Sequence, residues 1–296
     1  MSEHSGPVIA ERDGLKVRQC SACGFAHLDP LPDTQAVNDY YAKDFWSEKG
    51  KGWLAKYEAE REWNSMRHGD WLSVLGPHTV GRDLLDVGSG YGFCLADARE
   101  QGWRATGIEP SQEANKYSTE RFLLTAHLGT WENFDHPYLP KHKFDAITAF
   151  WLLEHLPEPM RFLRWCRSHL HSGGVLSVSI PNEWNALQTV ANINGKCLPN
   201  FWIHPTHCNY WTPATLSNLL GRCGFRVVDS LSTWPIEEYL LDGRDYTRDE
   251  SVGAQCHAEV RAKELVLTRE QRFAQGRAHA RQALGRDLIV VAVPED

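Results

Sequence analysis

The run Arg82-Asp-Leu-Leu-Asp-Val87 passes without a spacer into Gly88-Ser-Gly90-Tyr-Gly92, and Phe93, Leu95 and Ala96 then lead into a helical stretch. A strand that turns on glycines into a helix is the strongest constraint on the fold, because that crossover belongs to a parallel α/β sheet. The glycines permit a tight turn and let a ligand lie against bare backbone. In such a sheet, ligands bind at the carboxyl ends of the strands, near the switch in strand order.

Other strand-like runs follow at matching spacing. Trp103–Ile108 ends on Glu109 and precedes Ser111, a cap for a helix over Gln112–Arg121. Phe144–Phe150 follows the proline-interrupted loop His136–Pro140. Gly174–Ile180 comes after a helix over Pro159–Leu170, and Phe225–Leu231 after a helix over Pro213–Cys223 that Gly224 ends. The alternation predicts a mostly parallel sheet with helices on both faces. A final run, Asp287–Val293, returns after a polar, helix-prone excursion over Glu237–Arg286.

Asp86 stands before the first glycine and Glu109 ends the next strand, where an acidic side chain can accept the ribose hydroxyls of an adenosine group. The spacing is Gly-x-Gly-x-Gly, not the Gly-x-Gly-x-x-Gly of dinucleotide binders, and nothing here obviously cradles a pyrophosphate.

Leu84-Leu-Asp-Val-Gly-Ser-Gly-Tyr-Gly92, Gly107-Ile-Glu-Pro110, Phe144–Phe150 with Leu153-Glu-His-Leu-Pro-Glu-Pro159, Leu170-His-Ser-Gly-Gly-Val-Leu176 and Cys223-Gly-Phe-Arg-Val-Val228 occur in this order. Together they resemble the class I S-adenosylmethionine (SAM)-dependent methyltransferases. The resemblance implies a Rossmann-like, seven-stranded α/β sheet whose last strand is antiparallel, with helical N-terminal and inserted lid segments, and SAM as cofactor. It also implies that Gly88, Ser89, Gly90 and Gly92 approach the methionine and ribose, that Glu109 and Pro110 border the ribose, and that Asp86 supports the loop or the methionine amino group. Thr130 and Trp131 would flank the adenine, with plain packing the alternative for Trp131. Phe150 and Trp151 would face the sulfonium, where ring faces stabilise a cation, packing again being the alternative for Phe150.

An oxygen acceptor usually needs a base, and histidine suits neutral pH. Glu154-His155 resembles part of the metal-binding Glu-x-x-Glu-His arrangement of ubiquinone-biosynthesis O-methyltransferases, but Trp151 holds the first position, which makes a metal doubtful. His155 is therefore a catalytic candidate or a loop-shaping residue. His207 matches the histidine of a Pro-x-His-x-x-Tyr/Phe-aromatic-Thr/Ser-Pro pattern of small-molecule methyltransferases and is read either as the base or as a buried, hydrogen-bonded side chain. His204 and Tyr210 are weaker catalytic candidates.

Cys20-Ser-Ala-Cys23-Gly24 with His27 looks like the second half of a zinc ribbon that precedes some methyltransferase domains. A structural zinc takes four ligands and no first knuckle precedes Cys20; His27 can add a third ligand and a distant Cys or His a fourth, but the favoured reading is an incomplete, metal-free remnant.

The organisation expected is a knuckle remnant and helical cap over 1–79 and a SAM-binding domain over 80–296, with lid insertions at 183–224 and 233–286. Lys and Arg number 31 against 38 Asp and Glu, with no basic block, which argues against a nucleic-acid partner. No 18-residue apolar run occurs, the opening stretch is polar, and eight irregularly spaced cysteines fit reduced thiols. The expectation is a cytoplasmic enzyme without a membrane partner, acting on a small molecule, with the oligomeric state open and a homodimer compatible. O-methylation is the leading function, followed by C- or N-methylation of a sugar or natural product. A catalytically inactive SAM-binding protein and an NAD-dependent dehydrogenase stand as alternatives of another class.

Overall fold

A computed structural model describes residues 4–46, 50–134 and 143–295. The loop His136–Pro140 lies outside the described residues. Seven strands form the central sheet: β4 (Asp83–Val87), β5 (Arg104–Glu109), β6 (Thr125–Leu128), β7 (Phe144–Phe150), β8 (Leu170–Pro181), β10 (Phe225–Ser232) and β11 (Asp287–Pro294). Their order is β10-β11-β8-β7-β4-β5-β6. Neighbours from β8 to β6 run parallel, whereas β11 runs antiparallel to both β8 and β10. The expected antiparallel last strand is therefore present, and it occupies an interior position in the sheet.

The interior strands β4, β7, β8 and β11 are largely apolar because both faces are covered, whereas the edge strands β6 and β10 are partly exposed. Successive side chains go to opposite layers. Leu85, Ile147, Leu176, Leu288 and Val290 join one core, against Phe162 and Leu163 of α6 (Pro159–His169) and Leu216, Leu219 and Leu220 of α8 (Pro213–Arg222). Leu84, Ala146, Val175, Ile289 and Val291 join the other, against Trp71 and Leu72 of α3 (Arg61–Ser73) and Leu95 of α4 (Phe93–Glu100). Each such Leu, Ile or Val contributes about 1.5–3 kcal/mol by leaving water.

From β4 the chain builds β5 and β6 on one side and then crosses to β7 and β8 on the other. The crevice at the carboxyl ends of β4 and β7 is therefore the topological switch point.

The N-terminal part holds a small sheet ahead of its helices. β1 (Val8–Arg12), β2 (Leu15–Gln19) and β3 (Ala26–Asp29) form an antiparallel sheet with β9 (Asn209–Tyr210), which belongs to the segment between β8 and α8 that also carries α7 (Ala186–Ile193). Helices α1 (Thr34–Asp39), α2 (Lys51–Ala59) and α3 come after this sheet. The excursion between β10 and β11 is helical as expected: α9 (Glu238–Leu241), α10 (Glu250–Leu265) and α11 (Arg269–Arg281). α11 is tied to α3 through Asp70, which accepts from Arg269 and Arg272.

Candidate active site

The turn after β4 keeps Gly88, Gly90 and Gly92 at φ +76°, +53° and +81°, a region that L side chains rarely enter. Gly92 is confined further, since a Cβ there would lie 2.6 Å from Ser118 Cβ and 2.9 Å from Leu124. Ser89 turns toward β5, with its hydroxyl 2.5 Å from where a Cβ on Gly107 would stand.

Glu109 closes the turn from the end of β5. Its carboxylate accepts the backbone N–H of Gly90 at 2.8 Å and that of Ser111 at 2.9 Å, and burial pushes it up to about 7. Pro110 leads into Ser111, which accepts from Ala114 N and caps α5 (Gln112–Phe122). Asp86 is buried at the end of β4 and accepts the Thr148 hydroxyl at 2.7 Å. Burial pushes it, too, up to about 7.

An open cleft of 460 Å³ lies beside this turn, lined by Trp46, Ser111, Gln112, Glu113 and Lys116 among others. That volume is within the range of small-molecule sites. Trp46 borders Gly90, and its ring meets Tyr91 at 4.6 Å. The glycine turn, the buried carboxylate bonded to it and the open cleft beside it suit an adenosine-bearing cofactor.

The aromatic candidates behave differently. Trp131 is 6% exposed, in the core between Phe162 and Trp165, with Arg161 over its ring. Its ring packs and does not stand open to an adenine. Thr130 forms a capping box with Asn133. Phe150 meets Trp71 at 5.2 Å. Trp151, at φ +50°, also meets Trp71, lies under the Arg67 guanidinium and turns its indole N–H toward Asp287. Both rings are thus engaged on the α3 side, with Arg67 supplying the cation there. In this segment it is Leu152 that borders the glycine turn, 3.3 Å from where a Cβ on Gly88 would stand.

Leu152 leads directly into the tight turn Leu153–His155. His155 Nδ1 lies 2.7 Å from the Thr206 carbonyl oxygen and 2.8 Å from the Tyr41 hydroxyl. Burial lowers its imidazolium to about 4, so the ring is neutral at pH 7. The imidazoles of His155 and His207 meet with centroids 5.1 Å apart, and that of His204 lies 5.2 Å beyond His207.

Two buried carboxylates complete the cluster. Glu183 Oε1 lies 3.9 Å from His207 Nδ1, and Glu154 Oε1 lies 3.8 Å from His155 Nε2. Burial pushes Glu154 well above its usual range and Glu183 up to about 7, with Arg286 opposing the shift at Glu183. The His155 and His207 readings thus converge on one place. Tyr210 is 2% exposed, and its hydroxyl accepts from His204 N at 3.3 Å and donates to His204 O at 3.4 Å, which ties it to the same loop. His204 Nδ1 lies 2.8 Å from the Thr206 hydroxyl.

Glu154, His155 and His207 bring donor atoms within 4.8 Å of one another. That is one donor fewer than a closed tetrahedral site takes, and Trp151 turns away toward Asp287. Three contributors lay outside the sequence reading of the site: Tyr41, Trp46 and Glu183. Glu183 follows the end of β8, a position that the strand-end rule for parallel sheets singles out.

A family model described as a methyltransferase domain matches residues 57–230. The chain belongs to the class I SAM-dependent methyltransferases. It is a SAM-dependent enzyme, and the fold and cofactor expected from its motifs hold. A ubiquinone biosynthesis O-methyltransferase of Nitrosospira multiformis is 27% identical over 200 residues, which cover 64% of this chain and 82% of that protein. Its counterpart in Actinobacillus pleuropneumoniae serotype 5b is 35% identical over 121 residues, 38% of this chain and 52% of that one. Among solved structures, the magnesium protoporphyrin IX methyltransferase of Synechocystis PCC 6803, with bound SAH, matches at TM-score 0.54 and 15% identity over 89% of this chain and all of that one. Among the described residues no helix is long and apolar enough to cross a membrane.

Proposed function

We propose that this methyltransferase acts on a hydroxyl oxygen of a small molecule, with His207 as the base. The observation that carries the proposal is the pairing of His207 with His155 at the carboxyl end of β7, beside the buried carboxylates of Glu183 and Glu154. Both relatives described above are named as O-methyltransferases.

When bound, SAM supplies an electrophilic methyl group on a sulfonium. Gly88, Gly90 and Gly92 would receive its methionine and ribose portions and Glu109 its ribose hydroxyls, with Asp86 fixing the turn through Thr148. Glu183, 3.9 Å from His207 Nδ1, would favour the imidazolium that forms when His207 takes the acceptor's hydroxyl proton. Neutral His155, fixed by the Thr206 carbonyl and Tyr41, keeps the neighbouring position free of a competing positive charge. Alignment of the acceptor oxygen with the methyl carbon provides much of the remaining rate.

Residues 1–79, 183–224 and 233–286 form the acceptor side and lid around the core of the 80–296 domain. His207, His155 and the Tyr41 hydroxyl come from three different parts of the chain, as a site assembled from variable segments would.

The test is transfer of labelled methyl from SAM to a panel of phenols, catechols and other hydroxylated small molecules. His207→Ala is expected to slow turnover at least about tenfold, the low end for losing a general base, while SAH binds with unchanged affinity. Unchanged turnover on an accepted substrate removes His207 from the chemistry. Methylation confined to amines or carbon acids overturns the choice of oxygen.

A further inference from the structure

The turn between β2 and β3 places Cys20 and Cys23 side by side, and the chain before β1 returns to it. Gln19 N donates to Pro7 O at 3.0 Å and Ser21 N to Ser5 O at 2.9 Å, which brings His4 over the two thiols. His4 Nδ1 lies 3.6 Å from Cys20 Sγ and 3.3 Å from Cys23 Sγ. His27, on β3, is 1% exposed, and its ring meets that of His4 at 4.7 Å. Donor atoms of all four residues lie within 4.8 Å of one another.

We infer that His4, Cys20, Cys23 and His27 form a structural zinc(II) site. Zinc–sulfur bonds of about 2.3 Å and zinc–nitrogen bonds of about 2.0–2.1 Å, arranged as a tetrahedron, set nitrogen–sulfur edges at roughly 3.5 Å. The two His4–sulfur distances bracket that value.

His27 supplies an independent sign. Its Nδ1 lies 2.7 Å from the Leu28 carbonyl oxygen, so Nδ1–H donates there and the lone pair falls on Nε2. Nε2 is buried beside the Cys20 thiol and finds no nitrogen or oxygen hydrogen-bond partner among the described residues. An unsatisfied buried acceptor is costly, and a metal-ligating histidine typically bonds the backbone through its other nitrogen in this way. Cys20 Sγ accepts the backbone N–H of Cys23 at 3.4 Å, and Gly24, at φ +82°, closes the turn by donating to Cys20 O at 2.9 Å. Binding zinc takes the proton from each thiol and releases it to solvent. Two sulfurs and two imidazoles in a tetrahedron favour zinc over harder cations and leave no open position for chemistry.

The site also reaches the catalytic end. His27 pairs with Asn209 across β3 and β9, Leu28 N donates to Cys208 O at 2.8 Å, and His207 comes next to Cys208 in sequence. Arg222 of α8 donates to the carbonyls of Cys23 and Ala22. Zinc would therefore fix the edge on which the His207 loop is hung.

The test uses the full chain purified without chelator. Elemental analysis is expected to give one zinc per chain, falling to below about 0.2 in Cys20→Ser/Cys23→Ser and staying at one in His207→Ala. Cobalt(II) added to the metal-stripped wild-type chain is expected to give a thiolate-to-cobalt charge-transfer band with tetrahedral ligand-field bands, a readout that needs no folded variant. Absence of those bands overturns the assignment. So does zinc that persists in the double cysteine variant but is lost in His207→Ala, which would place the ion at Glu154, His155 and His207.

Discussion

Asp86 is held neutral-prone by its surroundings: it is 4% exposed, and burial raises its carboxyl to about 7, with only the Thr148 hydrogen bond opposing. The folded chain therefore holds this proton more tightly than the unfolded chain, whose value is near 3.8. The stabilisation from this group is complete below that value and is lost as pH rises through about 7. Asp86→Asn keeps an acceptor for Thr148 and removes the titration. The melting temperature of the variant relative to wild type, both without cofactor, is expected to climb between pH 5 and 8; a pH-independent difference would remove this group from the stability profile. The glycines, Asp86 and Glu109 could be read from the sequence because backbone geometry and strand ends dictate them. Trp131, Trp151 and Tyr210 were harder to place, because spacing gives a residue's position but not the direction of its side chain. Trp131 turns into the core, Trp151 toward Asp287 and Tyr210 onto the His204 backbone.

Among the elements, α8 shows how a local signal serves the site. The Thr212 hydroxyl accepts from Thr215 N, the Thr215 hydroxyl accepts from Thr212 N, and Pro213 occupies the first helical turn. The cap ends the His207–Trp211 segment and aims Leu216, Leu219 and Leu220 into the core. Thr212→Ala is expected to lower unfolding free energy by about 1 kcal/mol in a denaturant titration, with Thr212→Ser restoring most of it. Full stability in the alanine variant would deny the cap its role. Most central strands were legible because burial on both faces makes them continuous apolar runs. The N-terminal sheet was not, since β1 is largely exposed and β3 finds its partner in a two-residue strand far along the chain. His4 escaped notice for the same reason: only the pairing of residues 5–7 with 19–21 brings it to the cysteines.

At the scale of the whole molecule, segments outside the central sheet are fastened to one another. The N-terminal strands share a sheet with β9, and α3 is tied to α11 by Asp70 with Arg269 and Arg272. The glycine turn stands at the switch point, and Leu152, which borders Gly88, leads into the turn that carries His155. The proposed function rests on the glycine turn and Glu109 holding SAM. The most direct test is calorimetric titration of the full chain with SAH, alongside Glu109→Ala and NAD as a competitor. SAH is expected to bind wild type with one-site stoichiometry and the variant at least about tenfold more weakly, a loss of roughly 1.4 kcal/mol or more, while NAD leaves the titration unchanged. Failure of SAH to bind wild type, or affinity undiminished by Glu109→Ala, would contradict the placement of the cofactor at this turn.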